Sequence, residues 1–121
     1  MNNVILIKHP KNLGLNGELV SKIAKDCLKK KGLKEIELSV VFVGKKRAKD
    51  LNIKYRHKDY IPQVLGFPLS KEADEDGVVR LGDVVICTQK LKYEVKFQKK
   101  TMTEVLSEWI QHGIENLMKE D

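Results

Sequence analysis

Cysteine is scarce in this sequence: 121 residues contain two, Cys27 and Cys87. They stand far apart in the apolar runs "IAKDCLKK" and "DVVICTQ", so both read as reduced, half-buried core thiols rather than a disulfide pair. Long apolar runs are also lacking. With no stretch of eighteen apolar residues and no signal-peptide core, neither a membrane span nor a secretory leader is expected, and the expected address is the cytoplasm. Histidine is limited to His9, His57 and His112, with no His-Glu-x-x-His pair, which excludes an ordinary zinc metalloprotease. The Gly-rich phosphate loop, the Cys-x-x-Cys pair and the Gly-x-Ser-x-Gly elbow are missing too, and with them three common routes to nucleotide, redox and acyl-transfer chemistry. Repeats and low-complexity tracts are absent.

What is present is the balance of a soluble globular chain, 41% apolar and 33% charged, of a length that suits one domain over residues 1–121. The charge is uneven. Residues 1–60 carry fifteen Lys and Arg against six acids, a net of +9, whereas residues 61–121 carry eight against eleven, a net of −3. A basic half of this kind suits a polyanion, because cations that contact phosphates release counterions; a solvated lysine-rich surface would look the same in sequence.

Hydropathy patterning predicts an α+β order. "NVILIK" reads as a short buried strand. "NGELVSKIAKDCLKKKG" places Leu19, Val20, Ile23, Ala24, Cys27 and Leu28 at helical spacing, with Gly32 as the stop. "IELSVVFVG" is continuously apolar and predicts a central strand covered on both faces. In "KKRAKDLNIKYR" the positions Ala48, Leu51 and Tyr55 predict the inner face of a second helix, ended by the loop "HKDYIP". "QVLGFPL" predicts an edge strand, since Pro68 cannot donate to a ladder, and "SKEADEDG" a turn into a fourth strand, "DVVICT", making a hairpin. From residue 89 onward the pattern is helical, broken near residues 99–103, where Thr101 or Thr103 would cap the last helix.

In that last helix, placing residues at 100° per step with Trp109 at zero puts Met102, Val105, Leu106, Gly113 and Leu117 within roughly 80° of it. His112 falls roughly 60° to one side and Asn116 roughly 20° from the centre, one turn apart on or beside the face expected to be buried. A histidine so placed reads either as a hydrogen-bonded core residue or as a ligand; one imidazole alone does not make a zinc site.

The blocks "LNIKYRHKDYIPQVLGFP", "LGDVVIC" and "HGIENLMKED" resemble the YbeY family of bacterial endoribonucleases, which act in 16S rRNA maturation and ribosome quality control. The first block matches the family pattern at Leu51, Asn52, Tyr55, Arg56, Asp59, Val64, Leu65, Phe67 and Pro68. The second matches at Leu81, Gly82, Asp83, Val85, Ile86 and Cys87. The resemblance implies an α+β fold with a small mixed four-stranded sheet and four to five helices. It also implies a metal-dependent hydrolase of single-stranded RNA whose zinc is held by three histidines in His-Gly-x-x-His-x-x-x-x-x-His. Here His112 and Gly113 match, Asn116 stands at the second ligand position, and the third falls at position 122, past Asp121. Pro62 and Gln63 replace the family's Thr-Asp, and Gly66 its Ser.

Two function classes follow. One is a divergent ribonuclease in which Arg56 offsets the charge that builds on a phosphate during cleavage. Its metal would sit on His112 and Asn116, with Glu115, Glu120 or Asp121 as further donors, an oxygen-rich set better suited to Mg²⁺ or Mn²⁺ than to Zn²⁺. Glu115 is the poorest of these, since the wheel turns it to solvent. The other is a protein that binds single-stranded RNA, rRNA or the small ribosomal subunit without cleavage and without metal, through Lys45, Lys46, Arg47, Lys49, Lys54, Arg56 and Lys58. A protein-binding regulator would need an exposed apolar patch. The sequence leaves the oligomeric state open.

Overall fold

The computed structural model describes residues 3–8 and 16–119. Its elements run β1 (Val4–Lys8), α1 (Gly17–Lys30), β2 (Ile36–Val43), α2 (Lys45–Arg56), β3 (Val64–Pro68), β4 (Val79–Cys87), α3 (Thr88–Gln98) and α4 (Met102–Met118). The sheet order is β1-β2-β4-β3, parallel between β1 and β2 and between β2 and β4, antiparallel between β3 and β4. The expected α+β class, mixed four-stranded sheet and β3–β4 hairpin are all found, with four helices among the described residues.

One face of the sheet carries the core. Ile36, Leu38, Val40 and Phe42 alternate along β2 and meet Val84 and Ile86 of β4, with α1 supplying Val20, Ile23, Ala24 and Leu28, and α4 supplying Leu106, Ile110, Ile114 and Leu117. Each large side chain buried here contributes roughly 1.5–3 kcal/mol, so this face dominates stability. Both cysteines are free and buried, Cys27 in this core at 3% exposure and Cys87 at the end of β4 at 1%, deeper than half-buried. Burial pushes the Cys27 thiol above its ordinary pKa, which keeps it protonated and unreactive.

The opposite face is only partly covered, and two expectations fail there. β1 is an edge strand whose Val4 and Leu6 remain exposed, because none of the described helices lies over that side. β2 is central but not covered on both sides: Glu37, Val41 and Val43 are half-exposed, since α2 is the one helix set against that face. α2 itself turns differently from its apolar pattern. Ala48 and Asn52 are its buried residues, Leu51 is half-buried, and Tyr55 is 56% exposed while its ring packs edge-to-face on Phe67 of the edge strand β3.

Local signals fix the ends of the elements. Asn16 caps α1 by accepting from the backbone N–H groups of Glu18 and Leu19. Thr101 and Glu104 form a reciprocal capping box on α4, and the Lys71 ammonium donates to the Lys119 carbonyl at its far end, 2.6 Å away. β4 bulges at Leu81, where Glu37 pairs with Arg80 but Leu38 pairs with Gly82. Gly82 holds φ +140, and a β-carbon there would stand 2.3 Å from the Phe67 carbonyl, so only glycine fits.

Candidate nucleic-acid interface

α2 begins against its own electrostatics. Gly44 caps it without a side-chain bond, and the first turn has no acid but carries Lys45, Lys46 and Arg47 at the positive end of the helix dipole. Cations in a first turn cost about 0.3–1 kcal/mol each, a cost that a bound anion would offset. Further along, Lys49 pairs with Asp59 at 3.3 Å and the Lys54 ammonium lies 5.2 Å from the Tyr55 ring centroid. All six of Lys45, Lys46, Arg47, Lys49, Lys54 and Lys58 are exposed.

The helix ends where His57 enters the left-handed region at φ 57, its N–H bonding to the Ile53 carbonyl and that of Lys58 to the Asn52 carbonyl. Asn52, wholly buried, donates through its side-chain amide to the Tyr60 carbonyl at 3.0 Å and so ties the following loop to the helix. Arg56, in the last turn of α2, lines a cavity of about 440 Å³ together with Tyr60, Pro62, Gln63, His112 and Asn116. Residues distant in sequence thus meet: Arg56 from α2, Pro62 and Gln63 from the loop, and His112 and Asn116 from α4. His57, exposed as expected of a loop residue, does not line this cavity, and the lysines of α2 lie outside it.

The burial expected of His112 is corrected. His112 is exposed and Asn116 half-buried. The buried residues of α4 are Val105, Leu106, Trp109, Ile110, Gly113, Ile114 and Leu117, an arc whose middle lies roughly 50° from Trp109 towards Leu106 and Leu117. Trp109, 8% exposed, sits near the rim of that arc, so a wheel centred on it carries His112 too far inward. Gly113 faces Val84, whose γ-carbons would lie 2.5 and 2.9 Å from an added β-carbon, and this close approach presses α4 onto β4. Gly66 on β3 meets α4 one turn later: a β-carbon there would stand 3.2 Å from the Asn116 β-carbon and 3.4 Å from the Gly113 carbonyl.

The donor set does not fit a zinc centre. Tetrahedral zinc needs three or four nitrogen, sulfur or carboxylate ligands, and among the described residues no group of three His, Cys, Asp or Glu could hold a metal. Glu115 points away, 3.9 Å from the Lys31 ammonium, while His9, Glu120 and Asp121 lie outside the described residues.

A second cavity, about 400 Å³, lies against the less covered face of the sheet, between α2 and the strands. Arg47 and Tyr55 of α2, Lys8 of β1, Phe67 of β3 and Asp83 of β4 line it. Of these, sequence reasoning identified Arg47 alone as a binding residue. The available signal was the polar alternation of Glu37 and Ser39 inside an apolar strand, which marks a face that is not fully covered.

Among the described residues no helix is long and apolar enough to cross a membrane. A family model described as Endoribonuclease YbeY matches residues 9–118. An Endoribonuclease YbeY of Thermodesulfovibrio yellowstonii is 36% identical over 84 residues, 69% of this chain and 52% of that protein. That of Aquifex aeolicus is 32% identical over 119 residues, covering 98% of this chain and 77% of its own length. The solution structure of TM1509 from Thermotoga maritima superposes with a TM-score of 0.61 at 25% identity, over 98% of this chain and 74% of that one. The chain spans about half the length of several of the relatives it matches, 52%, 50% and 54% in three of them. By the extent of the family match and the identity shared with these relatives, the chain belongs to the Endoribonuclease YbeY family.

Proposed function

We propose that this chain binds single-stranded RNA in ribosomal RNA maturation, at the small ribosomal subunit, without the zinc-dependent cleavage that resemblance to the family implies. The observation that carries this reading is the composition of the α2–α4 cavity: Arg56 and His112 line it, and among the described residues an amide, Asn116, stands one helical turn from His112 where a zinc site would need a second strong ligand. These groups suit a phosphodiester. Arg56 presents a planar fork to two phosphate oxygens, His112 and Asn116 can each donate a further hydrogen bond, and the cations of α2 extend the positive surface along the strand.

The test pairs binding with cleavage on one preparation. Fluorescence anisotropy with a labelled single-stranded RNA is expected to show binding that weakens steeply with salt and drops on Arg56→Ala, while the RNA stays intact on a denaturing gel with and without chelator. Salt-independent or absent binding would refute the proposal. Its rival, a hydrolase with Mg²⁺ or Mn²⁺ on His112 and Asn116, draws support from the placement of Arg56 in the same cavity. That rival requires chelator-sensitive cleavage lost in His112→Ala, together with Mn²⁺ broadening of the His112 and Asn116 NMR signals.

A further inference from the structure

The cavity on the less covered sheet face has a composition that phosphate binding alone does not explain. Strand registers place Leu6, Ser39, Asp83 and Phe67 in one row across the four strands, and Lys8, Val41, Val85 and Leu65 in the next. α2 lies over part of this face, bringing Tyr55 to Phe67 in an edge-to-face contact with ring centroids 5.3 Å apart. The Tyr55 ring remains 56% exposed. Lys8 and Arg47 stand at the same cavity. The carboxylate of half-buried Asp83 makes no hydrogen bond or ion pair among the described residues.

A carboxylate here would repel a phosphate, so its presence between two cations and two aromatic rings needs another kind of ligand. Aromatic side chains on a sheet offer faces on which an unpaired base stacks. An acceptor-only group beside them selects among bases. Guanine alone offers two adjacent donors, N1–H and the N2 amino group, on its Watson–Crick edge, whereas adenine, cytosine and uracil set an acceptor next to each donor. We infer that this cavity is a guanine-binding subsite for single-stranded RNA, with Tyr55 and Phe67 as the stacking platform, Asp83 as the reader of the base edge, and Lys8 and Arg47 holding flanking phosphates. The inference rests on the RNA-binding reading above and extends it to base preference. Tyr55 and Arg56 are consecutive, one lining each cavity, so a strand passing the end of α2 can reach both.

The experiment compares hexauridylate with hexamers in which one uridine is replaced by guanosine, adenosine or cytidine, using anisotropy at low salt with the full chain. The guanosine hexamer is expected to bind about tenfold tighter than the others, the low end of discrimination by bidentate contact to a base edge. Asp83→Asn should bring the ratio of guanosine to uridine hexamer to about one. Tyr55→Ala should weaken every hexamer about tenfold, and Tyr55→Phe should restore binding. Near-UV circular dichroism verifies that each variant is folded. Salt-sensitive binding with no guanosine preference, or a preference that survives in folded Asp83→Asn, overturns the subsite alone. Failure to bind any hexamer overturns both the subsite and the RNA-binding reading.

Discussion

Gly113 shows how a single side chain sets the position of α4. Replacing it with alanine brings about 1 kcal/mol of helix propensity, but the new methyl would meet the γ-carbons of Val84 at 2.5 and 2.9 Å. Val84 is wholly buried and β-branched, so it has no free rotamer into which to retreat. Overpacking of this kind costs about 1–3 kcal/mol and outweighs the propensity gain. Gly113→Ala is therefore expected to lower the urea midpoint by an amount corresponding to a net loss of up to about 2 kcal/mol. Asn52 illustrates the opposite case, a buried polar residue whose side-chain amide has a partner in Tyr60 while its oxygen has none. Its burial was not legible in the sequence, where an asparagine in a lysine-rich helix reads as solvated.

At the scale of elements, the ends of helices were the most legible feature, because caps are local chemistry. Thr101 was one of two residues expected to cap α4, and its hydroxyl accepts from the Glu104 N–H at 3.1 Å while the Glu104 carboxylate accepts from the Thr101 N–H at 3.1 Å. Thr101→Ala should cost about 1 kcal/mol in chemical denaturation. It should also raise the Glu104 pKa, now held below its ordinary value first by the Thr101 backbone N–H and then by the Thr101 hydroxyl. The β3–β4 connection predicts a dependence on pH. A hydrogen bond from Arg80, followed by one from the Val78 N–H, lowers the Asp76 pKa from 3.8 to about 2. A carboxyl depressed on folding contributes stability above its unfolded pKa and loses it as pH falls through the folded one, so the contribution of Asp76 should fade between about pH 4 and pH 2. NMR titration in Arg80→Gln should find the Asp76 carboxyl titrating closer to pH 3.8. Which face each element buries was less legible. β1 and α2 carry enough apolar residues to look inward, yet the described helices are too few to cover both sides of the sheet, and that shortage is a property of the assembled layers.

For the molecule as a whole, the separation of a basic first half from an acidic second half becomes a surface carried by α2 and the loop after it. If about four of these cations contact phosphates, the slope of log affinity against log salt should be about −3 for a single strand, and affinity should fall about fiftyfold between 50 and 200 mM salt. An anisotropy series across that range gives the slope directly, and Lys45→Ala with Lys46→Ala should flatten it. The meeting of Arg56, His112 and Asn116 was legible only through resemblance of sequence blocks, since helical periodicity cannot say which loop returns to which helix. The sheet-face cavity was not anticipated, because it draws on four strands and a helix whose residues run from Lys8 to Val85. The contact between Gly66 and Asn116 carries a consequence for how such a site changes over time. A serine at 66 would bring a β-carbon to 3.2 Å from that of Asn116, so a change at 66 requires a response from 116. Gly66→Ser and Asn116→His are thus expected to be epistatic, with a double-mutant cycle giving a coupling of about 0.5–3 kcal/mol in stability. Installing a serine and a histidine at these two positions is therefore one paired change rather than two independent ones.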